Sequence, residues 1–88
     1  MKIKDGYILK KVAGENIVIA TGEARLSFNG IITFNEVGAE VFTRLDGTRT
    51  VDQIAQEIAS MYNAPKDIIE KDINKLIEKM RNHGLLEE

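Results

Sequence analysis

Apolar positions in the first third of the chain follow a strand-like pattern. Residues 7–12 and 16–20 are rich in β-formers and partly alternate, and residues 13–15 between them contain a glycine, which together predict an antiparallel hairpin. A turn at residues 28–30 leads into Ile31–Phe34, which is a short candidate third strand. Because two strands alone are marginally stable in water, a third strand and a covering layer of helices are expected.

After Phe34 the apolar positions recur at helical spacing and predict three helices, near residues 36–45, 51–62 and 67–82. Strands followed by helices indicate an α+β, winged-helix-like domain, with no helix before residue 30. Gly38 inside the first helix costs about 1 kcal/mol relative to alanine, so a close packing contact is expected there. The apolar stripes are Val37, Val41, Phe42 and Leu45; then Val51, Ile54, Ala55, Ile58, Ala59 and Tyr62; then Ile69, Ile73, Leu76, Ile77 and Met80.

Several residues have the properties of helix caps. Asn35 is a candidate N-cap of the first helix, and Gly47 a candidate for the residue just past its C-cap. Thr50 and Gln53 have the spacing of a capping box at the start of the second helix. Gly84 is expected to end the third helix, with the following leucine folded back on the last turn as in a Schellman motif.

The size and charge of the chain restrict its possible partners. Its 88 residues fit a single domain, 1–88, and the 12 Lys and Arg against 14 Asp and Glu give a net charge of −2. Nucleic-acid binders usually have a basic excess, so this class is disfavoured. No window approaches the roughly 18–20 apolar residues needed to cross a bilayer, and no signal peptide is evident. We therefore expect a cytoplasmic protein with neither a nucleic-acid nor a membrane partner.

Side chains that carry catalytic or metal chemistry are scarce. The chain has no cysteine and one histidine, His83, which is expected to act as a cation at a helix end. Zinc, haem and iron–sulfur sites would therefore lack ligands, and the scattered glycines form no phosphate-binding motif. We expect no enzyme activity, no metal and no cofactor.

A winged helix that binds nucleic acid is the main alternative. Three helices beside a small sheet are compatible with it, and Lys71, Lys75 and Lys79 stand four residues apart along one row of the third helix. Asp72 and Glu78 border that row, and the net charge is negative. This alternative therefore ranks below a protein or peptide partner.

Three segments together resemble the PqqD family. Residues 26–42 read LSFNGIITFNEVGAEVF, and residues 45–54 read LDGTRTVDQI, similar to the family's leucine–acid–glycine and threonine–valine–acid signature. Asp72-Ile73, Leu76, Met80 and the Gly84-Leu85-Leu86 ending are similar to its third helix and C-terminus. Phe42 stands where many relatives carry tryptophan, which is a conservative packing change. The resemblance extends over nearly the whole chain from Tyr7 onward.

The resemblance implies a peptide chaperone of pyrroloquinoline-quinone biosynthesis, or a related RiPP recognition element. Such modules bind the leader of a ribosomally made precursor peptide as an added strand, in a groove between the third strand of the sheet and the third helix. A radical S-adenosylmethionine enzyme, or another modifying enzyme, then acts on the core of the peptide. The expected partners are therefore a leader peptide and a modifying enzyme.

The resemblance and the strand pattern together indicate the residues of the site. In the third strand Ile32 and Phe34 are expected to face the core, and Ile31 and Thr33 the opposite side. On the third helix one flank of the apolar stripe carries Asp72, Leu76 and Lys79, the other Glu70, Asn74 and Arg81, and the first is expected to line the groove. The expected peptide-binding residues are Ile31, Ile32, Thr33, Phe34, Asp72, Lys75, Leu76 and Lys79.

Two further alternatives use the same surface. An adaptor that binds a protein without a peptide ligand would also have an open sheet edge and an apolar groove. A homodimer formed by pairing of the two edges would mask the peptide site.

Overall fold

The computed structural model describes residues 1–27 and 30–88, so Phe28 and Asn29 of the predicted turn lie outside the described residues. The elements follow in the order strands and then helices, with short additions. They are β1 (Lys2–Ile3), β2 (Tyr7–Val12), β3 (Glu15–Ala20), α1 (Ala24–Ser27), β4 (Ile31–Phe34), α2 (Glu36–Arg44), α3 (Val51–Tyr62), α4 (Lys66–Asn82) and β5 (Leu86–Glu87).

The predicted three-stranded antiparallel sheet is confirmed, with strand order β2-β3-β4. The first two strands are joined by a two-residue turn in which Ala13 (φ 52°) and Gly14 (φ 81°) both have left-handed backbone, as a type I′ hairpin turn requires. Val12 and Glu15 close this turn as a cross-strand pair. The turn thereby sets the register of β2 against β3.

Two features differ from the prediction. The expectation of no helix before residue 30 is wrong, because α1 forms a four-residue helix whose amides bond three residues back, as in Leu26 N–H to the Glu23 carbonyl at 3.0 Å. A single turn is too short to show helical periodicity. In addition, β1 and β5 pair with each other, with Ile3 opposite Leu86, and two-residue strands are too short to alternate detectably.

The three longer helices begin and end within one residue of their predicted bounds. Asn35 is the N-cap of α2, and its side-chain oxygen accepts from the Gly38 amide at 2.8 Å. At α3 the capping box is complete: Thr50 Oγ1 accepts from the Gln53 amide at 3.1 Å, and Gln53 Oε1 accepts from the Thr50 amide at 2.9 Å. Among the helices of the described residues, none has the length and apolar character required to cross a membrane.

The two glycines expected to end helices differ in position. Gly84 lies directly after the C-cap His83, and the Schellman motif is confirmed: the Leu85 amide donates to Met80 at 2.9 Å and the Gly84 amide to Arg81 at 3.0 Å. Gly47 lies one residue further on than predicted, because the C-cap of α2 is Leu45. Its left-handed backbone (φ 89°) serves the loop between α2 and α3.

The hydrophobic core lies between one face of the sheet and the helices. Val18, Ile32 and Phe34 from the sheet pack against apolar side chains of the three longer helices and against Leu85. The close packing expected at Gly38 is confirmed, since a Cβ added there would lie 2.8 Å from the Phe34 Cβ. The core-facing members of the sheet and the helical stripes are Tyr7, Val18, Ile32, Phe34, Val41, Leu45, Ile54, Ala55, Ile58, Ala59, Ile69, Ile73, Ile77 and Met80.

We predict that Gly38→Ala destabilises the protein, although alanine is the better helix former. The helix-propensity gain is about 1 kcal/mol, whereas the overlap with Phe34 forces a shift that costs about 1–3 kcal/mol. Urea denaturation is expected to show a lower free energy of unfolding. Ser60→Ala, at an exposed position of α3, is the control for propensity alone. A Gly38→Ala variant more stable than the native chain would contradict the contact.

Candidate functional site

The fourth strand forms an edge of the three-stranded sheet. It pairs with β3 on one side, and no described strand pairs with its other side. Along it, Ile32 and Phe34 are only 3% and 4% exposed, whereas Ile31 is 63% exposed and Thr33 is also exposed. The predicted division of this strand into a core face and an outer face is therefore confirmed.

The hydrogen-bond register determines which main-chain groups point to the open side of β4. In an antiparallel ladder, bonded and non-bonded pairs alternate, and a two-residue hairpin closes with a bonded pair, here Val12 and Glu15. The same parity places a bond between the Thr21 amide and the Gly6 carbonyl, observed at 2.6 Å. Odd-numbered residues of β3 therefore bond β2, and its even-numbered residues bond β4.

This parity directs two residues of β4 outward. Ile17 is opposite Thr33 and Ile19 is opposite Ile31, and both β3 residues direct their main-chain groups to β2. The N–H and C=O groups of Ile31 and Thr33 consequently point away from the sheet. The edge thus offers two donors and two acceptors to an extended chain.

The fourth helix lies beside this edge. The ammonium of Lys79 donates to the Thr33 carbonyl oxygen at 3.4 Å and lies 5.5 Å from the centre of the Phe34 ring, a cation–π distance. Leu76, one turn earlier, is half-buried and packs against the core. The Leu76 and Lys79 side of α4 therefore faces β4, as the sequence analysis expected.

The opposite flank of α4 faces the terminal segment. The Arg81 guanidinium bonds Glu78 at 3.0 Å and both carboxylate oxygens of Glu88 at 3.1 and 2.8 Å. These bonds raise the pKa of Arg81 and lower the pKa of Glu88. Arg81 is thus committed to an ion-pair cluster away from the sheet edge.

The Glu36 carboxylate connects the segment just after β4 to the other two strands through hydrogen bonds. Glu36, two residues beyond Phe34, accepts from Asn16 Nδ2 at 3.0 Å and from the Lys11 ammonium at 3.3 Å. The bond from Asn16, followed by that from Lys11, lowers the pKa of Glu36. This contact joins the start of α2 to β2 and β3, so the chain leaves the edge strand at a defined angle.

The predicted site residues are brought together to different degrees. Thr33, Phe34 and Lys79 are in direct contact, and Ile31 continues the same edge. Asp72 and Lys75 are exposed and lie on the Lys79 side of α4, since positions three and four apart share a helix face.

One exposed apolar residue on this side of the helix was not predicted from the sequence. Ile68, four residues before Asp72, is 53% exposed, and the i, i+4 spacing places it on the same row. It falls outside the buried stripe of α4, so periodicity alone did not select it. Its spacing to Asp72 and Leu76 was the signal available.

A second concavity lies away from the edge. It has a volume of about 350 Å³ and is lined by residues around the loop from α2 to α3, including Leu45, Val51 and Ile54, and by none of the predicted site residues. Beside it, Arg49 and Arg44 bond Glu57 at 2.9 and 3.1 Å and lower the pKa of that carboxyl group. In the described part of the chain, no group of three potential metal-ligand side chains is found.

Most of the chain matches a known protein family. The family model described as Coenzyme PQQ synthesis protein D (PqqD) matches residues 9–86. The chain belongs to the PqqD family. The resemblance noted in the sequence is thereby confirmed.

Curated relatives of the PqqD family match part of the chain. A PqqA binding protein of Xanthomonas oryzae pv. oryzae (strain PXO99A) is 36% identical over 56 residues, which are 64% of this chain and 61% of the relative. The PqqA binding protein of Xanthomonas axonopodis pv. citri (strain 306) is 34% identical over 56 residues. The matched segment thus spans about three fifths of the length of these relatives.

Two solved structures share the fold. TbiB1 in complex with the TbiA(beta) leader peptide superposes with a TM-score of 0.75 at 20% identity, covering 99% of this chain and 95% of that one. The PqqD truncation of Methylobacterium extorquens PqqCD, described as a stand-alone RiPP recognition element, gives 0.79 at 24% identity, covering 99% and 87%. The α+β fold predicted from the sequence is confirmed.

The lysine row of α4 leads to a prediction about nucleic acid. Lys79 is engaged by β4, and Asp72 and Glu78 adjoin Lys71 and Lys75 in a chain of net charge −2. We predict no measurable binding of duplex DNA near physiological ionic strength, in an anisotropy titration with a labelled duplex. Tight binding that weakens steeply with added salt would contradict this ranking, because counterion release drives such complexes.

Proposed function

We propose that this chain binds the leader of a ribosomally made precursor peptide as a strand added to β4, and presents it to a separate modifying enzyme. The observation that carries the proposal is the outward direction of the main-chain groups of Ile31 and Thr33, on an edge bordered by α4. An extended peptide satisfies such groups by strand addition.

The relatives support this choice of ligand. The Xanthomonas relatives are named for binding PqqA, and TbiB1 was solved with a leader peptide. The Methylobacterium truncation is described as a RiPP recognition element. The names of these relatives and structural neighbours thus support a precursor peptide as the ligand.

The proposed binding residues divide into four roles. Ile31 and Thr33 supply main-chain hydrogen bonds, while buried Ile32 and Phe34 hold the strand against the core. Leu76 forms the apolar wall on α4. The exposed charges beside that wall belong to Asp72, Lys75 and Lys79.

Lys79 protects the edge in the absence of peptide. Its ammonium occupies the Thr33 carbonyl, which is an acceptor that a bound strand requires. Lysine at an open edge opposes pairing with another sheet. Peptide binding therefore replaces one exposed, weak hydrogen bond, from Lys79 to the Thr33 carbonyl, with several main-chain hydrogen bonds.

The proposed partners are the leader peptide and a modifying enzyme, which is a radical S-adenosylmethionine enzyme if the family resemblance extends to the pathway. The chain itself acts as a binding module without catalysis of its own. Homodimerisation through β4 would compete with the peptide, because both need the same edge. A cytoplasmic location stays a prediction.

The decisive variant is Thr33→Pro, which removes the outward N–H and leaves the bonds to β3 in place. We expect it to abolish, or weaken at least tenfold, binding of the cognate leader peptide. Chemical-shift titration measures the affinity and locates the site. Lys11→Pro is the matched control, because the same parity directs the Lys11 amide to the open side of β2. Lys11→Pro also loses the contact between Lys11 and Glu36, so its affinity should equal that of Lys11→Ala, which loses the same contact and keeps the amide.

Both proline variants must show native-like amide spectra before they are compared. Shifts confined to the β2–β3 hairpin or to α3, or unchanged affinity in folded Thr33→Pro, would show that the β4 edge is not the site. Leu76→Ala is less informative, since removing a packed leucine costs about 2–5 kcal/mol of stability whatever its part in binding.

A further inference from the structure

The outer face of the sheet, which points away from the helices, carries an aligned row of isoleucines. Ile8 is opposite Ile19, and Ile19 is opposite Ile31, so one residue from each strand stands side by side. Ile8 is 38% exposed, Ile31 63% exposed and Ile19 half-buried. We call these three residues the isoleucine row.

The isoleucine row ends at the open edge. Ile31 is its outermost member and one of the two residues whose main-chain groups point outward. A strand added to β4 as an antiparallel neighbour places one residue directly opposite Ile31, in a bonded pair with a Cα separation of about 5.5 Å. The side chain of that residue lies on the same face as the isoleucine row.

We propose that the bound peptide carries a β-branched or aromatic residue opposite Ile31, as the fourth member of the isoleucine row. This inference rests on the proposed function and adds to it, because it assigns a specificity determinant outside the groove with α4. Cross-strand pairs of apolar side chains stabilise a sheet, and here the pair removes the exposed outer side of Ile31 from water.

The row next to the isoleucine row is more polar at the open edge. Lys10, Ile17 and Thr33 are aligned across the same three strands, and its edge member is the hydroxyl-bearing Thr33. The peptide residue opposite Thr33, two positions from the apolar one, therefore tolerates polar side chains. The residue between them faces α4 and Leu76. The outer face of the sheet thus selects an apolar residue at one peptide position and accepts polar residues two positions away.

The test uses displayed random nine-residue peptides as the probe, selected in parallel against the native chain and against two lysine variants. With Ile31→Lys we expect one position to change from β-branched or aromatic residues to aspartate or glutamate, because opposite charges are favoured across strands. Ile8→Lys is the matched control, at the far end of the isoleucine row and three strand spacings, about 14 Å, from the added peptide. It should select the native pattern.

An affinity measurement supports the selection. For a peptide selected on the native chain, Ile31→Thr should raise the Kd about two- to five-fold in an anisotropy titration, which corresponds to the usual range of cross-strand pairs. Ile8→Thr should leave the Kd unchanged. Both positions are exposed on the sheet surface, so neither substitution opens a cavity in the core.

The results distinguish a failure of this inference from a failure of the proposed peptide binding at β4. If no peptide is enriched over a Thr33→Pro control, strand addition to β4 fails, and the inference fails with it. If enriched peptides depend on Thr33 but Ile31→Lys and the native chain select the same residues, the isoleucine row has no role in specificity. In that case peptide binding at the edge stands.

Discussion

Left-handed backbone at Ala13 and Gly14 closes the hairpin after Val12, and this turn determines which atoms of the sheet remain available. A two-residue turn sets the pairing register, and the register sets the alternation of bonded and non-bonded pairs across β3. The outward groups of Ile31 and Thr33 follow from that alternation. This turn, together with the register of β4 against β3, thus determines which main-chain groups point outward from the open edge.

An open edge is also a liability, since unpaired main-chain groups recruit other strands. Three features limit it here. The strand has only four residues, its inner face is anchored by Phe34 packed against Gly38, and Lys79 occupies an outward carbonyl. The edge is therefore anchored along its inner face and short enough to resist sheet-to-sheet association.

The parts of the fold that the sequence predicted well are those determined locally. Caps such as Asn35 and Thr50, the Schellman motif at Gly84 and the helical stripes depend on residues within a few positions of one another. The small elements α1, β1 and β5 were missed because one turn or two residues carry no periodicity. The predicted position of Gly47 relative to the end of α2 was wrong by one residue, because the helix ends at Arg44, before its last apolar side chain, Leu45.

The candidate site could be predicted only in part from the sequence, because part of it depends on contacts between distant segments. The two flanks of α4 are distinguished by its rotation relative to β4, which depends on packing between distant segments and is shown by the contact of Lys79 with Thr33. The division of β4 into faces followed from alternation, but the direction of its main-chain groups required the register of all three strands. Ile68 was missed because exposure of an apolar residue is a tertiary property.

The proposed recognition through the main chain of two residues has a consequence for cells with several peptide-modifying pathways. Every extended peptide has the same backbone, so the proposed bonds to Ile31 and Thr33 would attract cognate and foreign leaders alike. Discrimination rests on the few side chains that border the strand, each of which contributes little by itself. Orthogonality between parallel pathways then depends on summing several weak preferences, and on how long each leader remains bound while the enzyme acts.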